Sequence, residues 1–433
     1  MLAVKVGCHC SLYLTEVTVR HQFVIVACVV AMVGVTLVAA VPNSVSRAAD
    51  AAGHYLFAWT GDVEGEGKDF LAVIDADPAS ATYGKLMTTL ATDQRTMQVH
   101  HTEYVMPASG MLFANDHLAG RTFIFDVRDA LHPKIVTSFT DMDGYAHPHS
   151  YLRLPNGNVI AAFQHMHHGD HLAGGDMENQ MGQSGGLVEI NDAGKVVRSA
   201  SSADPAFPDA LLTPYSLVVL PEIDRLVSTN SSMHNEYVFS GVTYQVWRLS
   251  DLKLLKTENL DVGANLYAHV SPEEPRLGAD GAVYVQTLGC GIERITDIAT
   301  DEPKSKLVWT FPGSFCGVPT IVGHFLVQSA PATHGLIVID IADGAKPVEV
   351  SRLKLSDGYF PHWTSWDAKT NRLVVTGNES RLYLVTLDEA TGAIAVDTAF
   401  HDGNGKPGFD FANRTWPHGW TGSGKPHGVV FSR

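Results

Sequence analysis

The stretch from His100 to Asp141 contains four short runs in succession, HHTEYVMPASG, MLFANDHL, RTFIFDVRD and KIVTSFTD. Most of these runs contain β-branched and aromatic residues, and each is bounded by Gly, Asn, Asp or Pro, which is typical of β-strands joined by turns. No long segment with helical periodicity occurs after His54. The stretch therefore predicts one unit of four antiparallel strands.

The same four-strand unit recurs along the chain. Five further copies begin at HPHSYLRLPNG (His147), TPYSLVVLPEI (Thr213), AHVSPEEPRL (Ala268), CGVPTIVG (Cys316) and PHWTSWDAKT (Pro361). A seventh begins with KPHGVVFSR at Lys425, and its missing strands match HYLFAWTGD, DFLAVIDAD and GKLMTTLAT between His54 and Thr92. A blade completed in this way closes a ring through ladder hydrogen bonds and leaves no open edge.

We therefore predict an all-β fold, a seven-bladed β-propeller over residues 51–433, in which segments 54–62 and 425–433 share one blade. Two separate β-sandwiches would explain neither the repeated unit nor the shared blade. The composition agrees, because a chain of 433 residues that is 45% hydrophobic is not intrinsically disordered. The formal net charge of -16 argues against a nucleic-acid partner, which needs clustered positive charge.

Residues 1–50 are predicted to be a signal peptide or signal anchor with a flanking linker. The run FVIVACVVAMVGVTLVAAV, from Phe23 to Val41, has no charged residue and follows Arg20. Val38 and Ala40 suit the positions before a signal-peptidase site, which favours cleavage, although the run is also long enough to span a bilayer. We expect a periplasmic or secreted protein with no stable membrane association after cleavage.

Propeller geometry predicts which residues meet in the central channel. The first strand of each blade lines the channel, so the residues that open these strands converge at one end. With 21 His in 433 residues, chance would place roughly 0.3 His across seven such positions. His occupies five of the seven, and the full column is His100 or His101, His147 or His149, Tyr215, His269, Cys316, His362 and His427.

These imidazoles predict a transition-metal site. Neutral imidazoles without a nearby carboxylate suit Cu, Zn, Ni or Fe(II) and disfavour Ca²⁺ and Mg²⁺, which prefer oxygen ligands. The alternative for each His is a channel residue that hydrogen-bonds water or a blade carbonyl. Glu103 and Asp116 lie close enough in the repeat to orient an imidazole, or they are solvated at the rim.

Three further features accompany the column. The insertion after Gln164 holds His165, His167, His168 and His171 with three Met, a composition that attracts copper, so it is either a metal-capturing loop or lid, or a plain surface loop. Cys290 and Cys316 fall at neighbouring blade ends, where they form either a disulfide or a free thiol in the channel. His418, in WPHGW, either approaches the site or caps the same face.

The chain resembles the selenium-binding protein family, whose bacterial members include copper-dependent methanethiol oxidases. The resemblance rests on DFLAVIDADPASATYGKL, the HH of HHTEY, GRTFIFDV, HPHSYLRLPNGNV, YQVWRLSDLKLL, and the PHW and PHG motifs. It implies a seven-bladed propeller and a copper ion on His100, His101, His147 and His427, and the column adds His362. Gly84 follows Tyr83 where animal members carry a selenium-binding Cys, so selenium binding is not expected.

The resulting functional hypothesis is an exported copper oxidase of small thiols. The resemblance implies conversion of methanethiol with O₂ and water to formaldehyde, hydrogen sulfide and hydrogen peroxide. In this hypothesis His149 and His269 carry protons and Tyr215 walls a small pocket. The alternatives are a periplasmic copper-binding or trafficking propeller without turnover, a metal-free interaction scaffold and a Ca²⁺-dependent hydrolase, the last disfavoured by the scarcity of carboxylates in the column.

Overall fold

The computed structural model describes residues 53–95, 98–117, 119–140, 142–166, 183–233 and 240–433. The signal predicted for residues 1–50 and residues 167–182 of the insertion lie outside this part of the chain. Among the described residues, no helix is long and apolar enough to cross a membrane.

The described strands form eight antiparallel sheets, of which seven are the blades of a propeller and one is a small hairpin. Blades one, two and three each contain four strands that are consecutive in the sequence. Blade one contains β4 (Val99–Thr102), β5 (Met111–Asp116), β6 (Arg121–Asp126) and β7 (Lys134–Phe139); blade two contains β8 (Tyr145–Arg153), β9 (Val159–Met166), β10 (Ser184–Ile190) and β11 (Val196–Ser201); blade three contains β12 (Pro214–Leu220), β13 (Arg225–Asn230), β14 (Thr243–Arg248) and β15 (Lys253–Asn259).

The next three blades repeat the order, and short 3₁₀ turns occur at Pro221–Ile223 and Pro331–Thr333. Blade four contains β16 (Pro272–Leu277), β17 (Val283–Thr287), β18 (Gly291–Thr296) and β19 (Lys304–Thr310); blade five contains β20 (Thr320–Val322), β21 (Phe325–Ala330), β22 (Gly335–Asp340) and β23 (Val348–Lys354); blade six contains β24 (Pro361–Asp367), β25 (Arg372–Gly377), β26 (Arg381–Leu387), β27 (Ile394–Val396) and β28 (Phe409–Asp410). A small hairpin, β29 (Arg414–Thr415) with β30 (Thr421–Gly422), precedes the last strand.

Blade seven is shared between the two ends of the described chain. It contains β1 (Tyr55–Asp62), β2 (Phe70–Asp75), β3 (Leu86–Ala91) and β31 (Gly424–Phe431). Strand β31 pairs antiparallel with β1, from Leu56 opposite Phe431 to Asp62 opposite Gly424. This confirms the predicted seven-bladed propeller and its closure by a shared blade.

The core lies between adjacent blades. Middle strands such as β2 and β21 are buried at every position, because the neighbouring blades cover both of their faces. Trp59 of blade seven packs against Phe123 and Phe125 of blade one, with ring centroids 5.6 and 5.5 Å apart, and its indole N–H donates to the Asn115 carbonyl at 2.7 Å. Such contacts fix the position of each blade relative to its neighbour, and therefore the position of its first strand in the channel.

A β-bulge recurs in the first strand of six blades. In β8, for example, Pro148 lies opposite Phe163 and Tyr151 opposite Ala161, so His149 and Ser150 together face a single residue. The same shift occurs in β4, β12, β16, β24 and β31. A bulge re-aims the side chains of its strand. The bulges therefore select which residue of each first strand enters the channel, and they fall at His100–His101, His149–Ser150, Tyr215–Ser216, Glu273–Glu274, His362 and His427–Gly428.

A disulfide joins blades four and five. Cys290, in the turn before β18, is bonded to Cys316, which precedes β20, and their Cα atoms are 5.0 Å apart. The structure thus decides between the two alternatives predicted for this pair, and Cys316 is not a free channel thiol.

Candidate metal centre

The bulges of blades one, two, six and seven bring five imidazoles together at one end of the channel. Blade one contributes two of them, because both residues of its bulge are His. The rings of His100 and His101 stack with centroids 4.0 Å apart and an interplanar angle of 8°. The group contains His100, His101, His149, His362 and His427, and we call it the central cluster.

Three members of the central cluster can share one ion. One ring nitrogen from each of His100, His101 and His427 lies within 4.8 Å of the other two. The centroid of the His427 ring is 4.3 Å from that of His100 and 5.6 Å from that of His101. His362 flanks this triad, because its ring centroid is 4.7 Å from that of His427 and 6.0 Å from that of His100.

A second triad overlaps the first and includes a carboxylate. His101, His149 and Glu274 are all buried, and one ligand atom of each lies within 4.8 Å of the others. His149 Nε2 is 2.8 Å from His100 Nε2, so one of these nitrogens donates a hydrogen bond to the other. The hydroxyl of Ser150 lies 3.0 Å from Nδ1 of His149 and 3.3 Å from Nδ1 of His101, which fixes the orientation of both rings.

The imidazoles of the central cluster are neutral at physiological pH. Burial lowers the pKa of His100, His101, His149 and His427 well below the usual value, and the neighbouring imidazoles lower it further. Burial also lowers the pKa of His362, to about 4. A neutral imidazole offers a lone pair, so these residues are in the state that binds a metal ion.

The donor atoms fit a transition-metal ion. Within the described part of the chain, Nε2 of His101 and Nδ1 of His427 are buried without a hydrogen-bond partner. Buried polar atoms normally have a partner, so these two nitrogens mark a position that a ligand can occupy. Grouped imidazole nitrogens with one carboxylate suit Cu, Zn, Ni or Fe and do not suit Ca²⁺ or Mg²⁺.

Two residues of the predicted column lie elsewhere. His147 has its ring 5.9 Å from those of His117 and His165, whereas its neighbour His149 occupies the channel position in blade two. His269 lies in the turn before β16, partly exposed, and Glu273 and Glu274 occupy the bulge of blade four. The expected placement of His269 in the channel, and the expected scarcity of carboxylates there, are therefore wrong.

The physical reason is the position of the bulge. In β8, β12, β16, β24 and β31 a proline directly precedes the bulge, and this proline is the sequence signal that aligns the blades. An alignment of blade four that puts His269 at the position of the bulge is shifted by several residues, because the bulge follows Pro272. The same signal would have identified Glu273. His117, which follows β5 and belongs to the run MLFANDHL, was not among the predicted site residues.

The other predicted site residues have clear positions. Tyr215 is buried against His149, with ring centroids 3.5 Å apart, so it backs this imidazole. Glu103 pairs with Arg153 at 2.8 Å and therefore does not orient an imidazole. His418 packs on Phe70, with ring centroids 4.9 Å apart, outside the central cluster.

A cavity of about 180 Å³ leads to the central cluster. Its wall includes His100 and His427 from the cluster. Gln98, Met233, Asn378 and Lys425 complete most of the remaining surface. Burial lowers the pKa of Lys425, while the nearby Glu379 carboxylate opposes this effect. The site is thus a small chamber that exposes two imidazoles, one thioether and one amine.

The fold and the site together define a propeller with a buried imidazole cluster that can hold a metal ion. No protein family model matches the chain. Among solved structures it is similar to a hypothetical selenium-binding protein from Sulfolobus tokodaii, with a TM-score of 0.66, 15% identity, and coverage of 87% of this chain and 93% of that one. It is also similar to a periplasmic gluconolactonase of Pseudomonas aeruginosa, with a TM-score of 0.56, 14% identity, and coverage of 88% and 99%. At these identities the structural matches show the fold.

The chain also has distant sequence relatives among methanethiol oxidases. The chain is 28% identical over 225 residues to methanethiol oxidase from Hyphomicrobium sp., covering 48% of this chain and 47% of the enzyme. It is 32% identical over 151 residues to methanethiol oxidase from Ruegeria pomeroyi, covering 33% and 31%. The matches span less than half of each relative. The chain is thus a distant relative of methanethiol oxidases and shares the fold of a selenium-binding protein, which confirms the resemblance.

Proposed function

We propose that the protein is a copper-dependent oxidase of small thiols, with methanethiol as its substrate. The reaction would convert methanethiol, O₂ and water to formaldehyde, hydrogen sulfide and hydrogen peroxide. The observation that carries this proposal is the convergence of neutral, buried imidazoles beside a small cavity in a relative of methanethiol oxidases.

The ligands in this proposal are His100, His101 and His427, with His149 completing the set. They come from blades one, two and seven, which hold them on strands and not on mobile loops. The metal role of His362 stays a prediction, and its ring contact with His427 supports a position beside the ion. Copper bound here would supply electron exchange between a thiol and O₂, which closed-shell side chains cannot carry out.

The cavity suits a small thiol. Its volume of about 180 Å³ accommodates a molecule with few heavy atoms but is below the range typical of sites for drug-sized ligands. The Met233 thioether provides a soft, polarizable contact for sulfur. The Lys425 amine favours an anionic form of the substrate, so a thiol that enters the cavity is stabilised as the thiolate.

Glu274 has a supporting role in the same proposal. Its carboxylate accepts hydrogen bonds from the hydroxyls of Tyr104 at 2.5 Å and Ser216 at 2.7 Å, and it pairs with Arg276 at 3.1 Å. It also faces His101. The carboxylate lies 3.7 Å from Nδ1 of His101, so its negative charge would favour a cation bound to that imidazole.

Metal analysis combined with oxygen uptake tests the proposal. Protein prepared without a His tag should contain about one copper in the central cluster, and it should consume O₂ and methanethiol together. The His101→Gln and His427→Gln variants should lose the copper of the central cluster and oxygen uptake, whereas His132→Gln, which changes an exposed residue of blade one, should keep both. A copper-loaded protein that leaves methanethiol unconsumed would refute the oxidase and leave the metal site intact.

The second candidate is a copper-binding or trafficking propeller without turnover. The imidazoles outside the central cluster, at His117, His147 and His165, favour it because a carrier needs positions through which an ion moves. Stoichiometric transfer of copper to an acceptor without oxygen uptake would distinguish the carrier from the oxidase.

We also propose that the protein acts in an oxidising compartment outside the cytoplasm. The disulfide between Cys290 and Cys316 supports this, because such bonds persist mainly in exported proteins. Fractionation of cells that express the full chain, followed by mass determination of the mature protein, tests export and the cleavage predicted near Ala40.

A further inference from the structure

We propose that His117, His147 and His165 form a second metal-binding station, separate from the central cluster, through which an ion reaches that cluster. The inference goes beyond the proposed oxidase, and its stoichiometry test does not depend on turnover.

The three residues lie on one face of blades one and two. His117 follows β5, His147 is in β8, and His165 is near the end of β9. Their side chains are only 3%, 8% and 7% exposed. The loop after a second strand and the start of a first strand meet at the same end of a blade, so the propeller brings these positions together.

The distances suit metal binding. The ring centroid of His147 lies 5.9 Å from that of His117 and 5.9 Å from that of His165. Two imidazoles that share an ion through bonds of about 2.0 Å have ring centroids about 5 to 6 Å apart. His147 is therefore placed to share an ion with either neighbour.

The backbone around His147 is built to hold its ring. His147 has a φ of 57°, a left-handed conformation that is uncommon for non-glycine residues. Gly120, with a φ of 59°, faces the ring: a Cβ atom there would lie 3.3 Å from Nδ1 of His147. A side chain at position 120 would thus crowd the imidazole, and glycine leaves room for it.

His117 supplies a donor that the described protein atoms do not use. Its Nδ1 is buried and has no hydrogen-bond partner within the described residues. Imidazole donors of this kind suit a transition-metal ion such as copper.

The station is continuous with the central cluster. The ring centroid of His117 lies 5.9 Å from that of His100 and 6.1 Å from that of His149. His165, at the other end, is the last residue but one of β9, where the His- and Met-containing insertion begins. The imidazoles therefore form a row from His165, through His147 and His117, to the central cluster.

Titration with Cu(I) held by a chromophoric chelator tests the station. The full chain should bind two ions in the folded region with affinities that compete with the chelator. The double variant His117→Gln, His147→Gln should bind one ion fewer and keep the ion in the central cluster. The double variant His101→Gln, His427→Gln should lose the ion of the central cluster and keep the ion of the station. Adding His147→Gln to that variant should remove the remaining ion.

Controls distinguish the station from other sources of binding. His132→Gln should bind as the unchanged chain does, and circular dichroism should show that every variant is folded. In a variant with His167, His168 and His171 all changed to Gln, the station should still bind its copper ion. Unchanged stoichiometry in the His117→Gln, His147→Gln variant, or loss of the second ion only in the insertion variant, would overturn the proposal.

The rate of loading tests the path. With copper supplied at limiting concentration, His147→Gln should slow the appearance of copper in the central cluster by at least tenfold and leave its final occupancy unchanged. An unchanged rate would show that ions enter by the open cavity beside Lys425, which would refute the path. Both results are independent of methanethiol oxidation, so they separate this inference from the proposed function.

Discussion

Oε1 of Glu274 lies 3.7 Å from Nδ1 of His101, and both side chains are fully buried in the channel. The Nε2 atom of the same imidazole has no hydrogen-bond partner among the described residues. The carboxylate lies beyond hydrogen-bond distance of the ring and acts on it through its negative charge, while the Ser150 hydroxyl, 3.3 Å from Nδ1, is the hydrogen-bond partner on that side. Negative charge beside a metal-binding imidazole favours a bound cation.

The Glu274→Gln variant should weaken metal binding without removing the site. The amide keeps the shape of the side chain and loses the negative charge that faces His101, so copper affinity should fall about 10-fold to 100-fold. Competition with a chromophoric chelator measures this change directly.

Glu293→Gln provides a matched control. Glu293 is a buried carboxylate in the same blade, on β18, and burial raises its pKa to about 8. It lies outside the two triads, so its replacement should leave copper affinity unchanged. Equal losses in the two variants would mean that Glu274 acts only through the stability of blade four.

Replacing His427 should have a larger effect than replacing His362. His427 belongs to the triad that can share an ion, whereas His362 only flanks it. Replacement of a group that only supports a ligand lowers metal affinity by at most about 100-fold. His427→Gln, which removes a direct ligand, should lower copper affinity by more than this. His362→Gln should lower it by less. Copper content after dialysis against a chelator would rank the two variants, and the reverse order would refute the assignment.

The apoprotein should lose stability as the pH falls below 6.5. The pKa of His362 is lowered to about 4 and that of His117 to about 3, so in the folded state both remain neutral where the unfolded chain takes up protons. Since the unfolded state then binds more protons, the free energy of unfolding rises with pH. Each imidazole should cost about 1.4 kcal/mol of stability at pH 5.5.

Urea unfolding of the apoprotein at pH 7.5 and pH 5.5 measures this loss. His362→Gln should show a shallower dependence on pH than the unchanged chain, because one buried imidazole is absent. A pH dependence that is the same in both proteins would show that His362 titrates normally in the folded state.

Loss of the disulfide should destabilise the propeller. The bond between Cys290 and Cys316 closes a loop with a sequence separation of 26 residues, and cross-links of this size typically contribute about 3 kcal/mol by constraining the unfolded chain. The Cys290→Ala, Cys316→Ala variant should therefore unfold at a lower urea concentration. Adding a thiol reductant should lower the stability of the unchanged chain and leave that of the variant unaffected.

The ring of blades could be predicted from sequence because each blade repeats the same strands, and His54–Asp62 and Lys425–Arg433 supply complementary parts of one unit. The histidines at 100, 101 and 427 could be predicted because they start such strands. Glu274 is harder to find, because blade four offers two competing alignments, on His269 or on Pro272, and only the backbone pairing with β17 shows that the bulge follows Pro272. His117 lies in the second run of its unit, MLFANDHL, but its approach to His147 depends on the packing of blade one against blade two.

Strand β31 carries His427 and is also the strand that completes blade seven against β1. An ion bound to His427, His100 and His101 would therefore link strand β31 of blade seven to strand β4 of blade one. Detachment of β31 would require release of the ion, so metal occupancy should make opening of the ring rarer. Amide hydrogens along β1 and β31 would then exchange more slowly in the copper-bound protein than in the apoprotein, and the terminal segment would resist exopeptidases for as long as the ion stays bound.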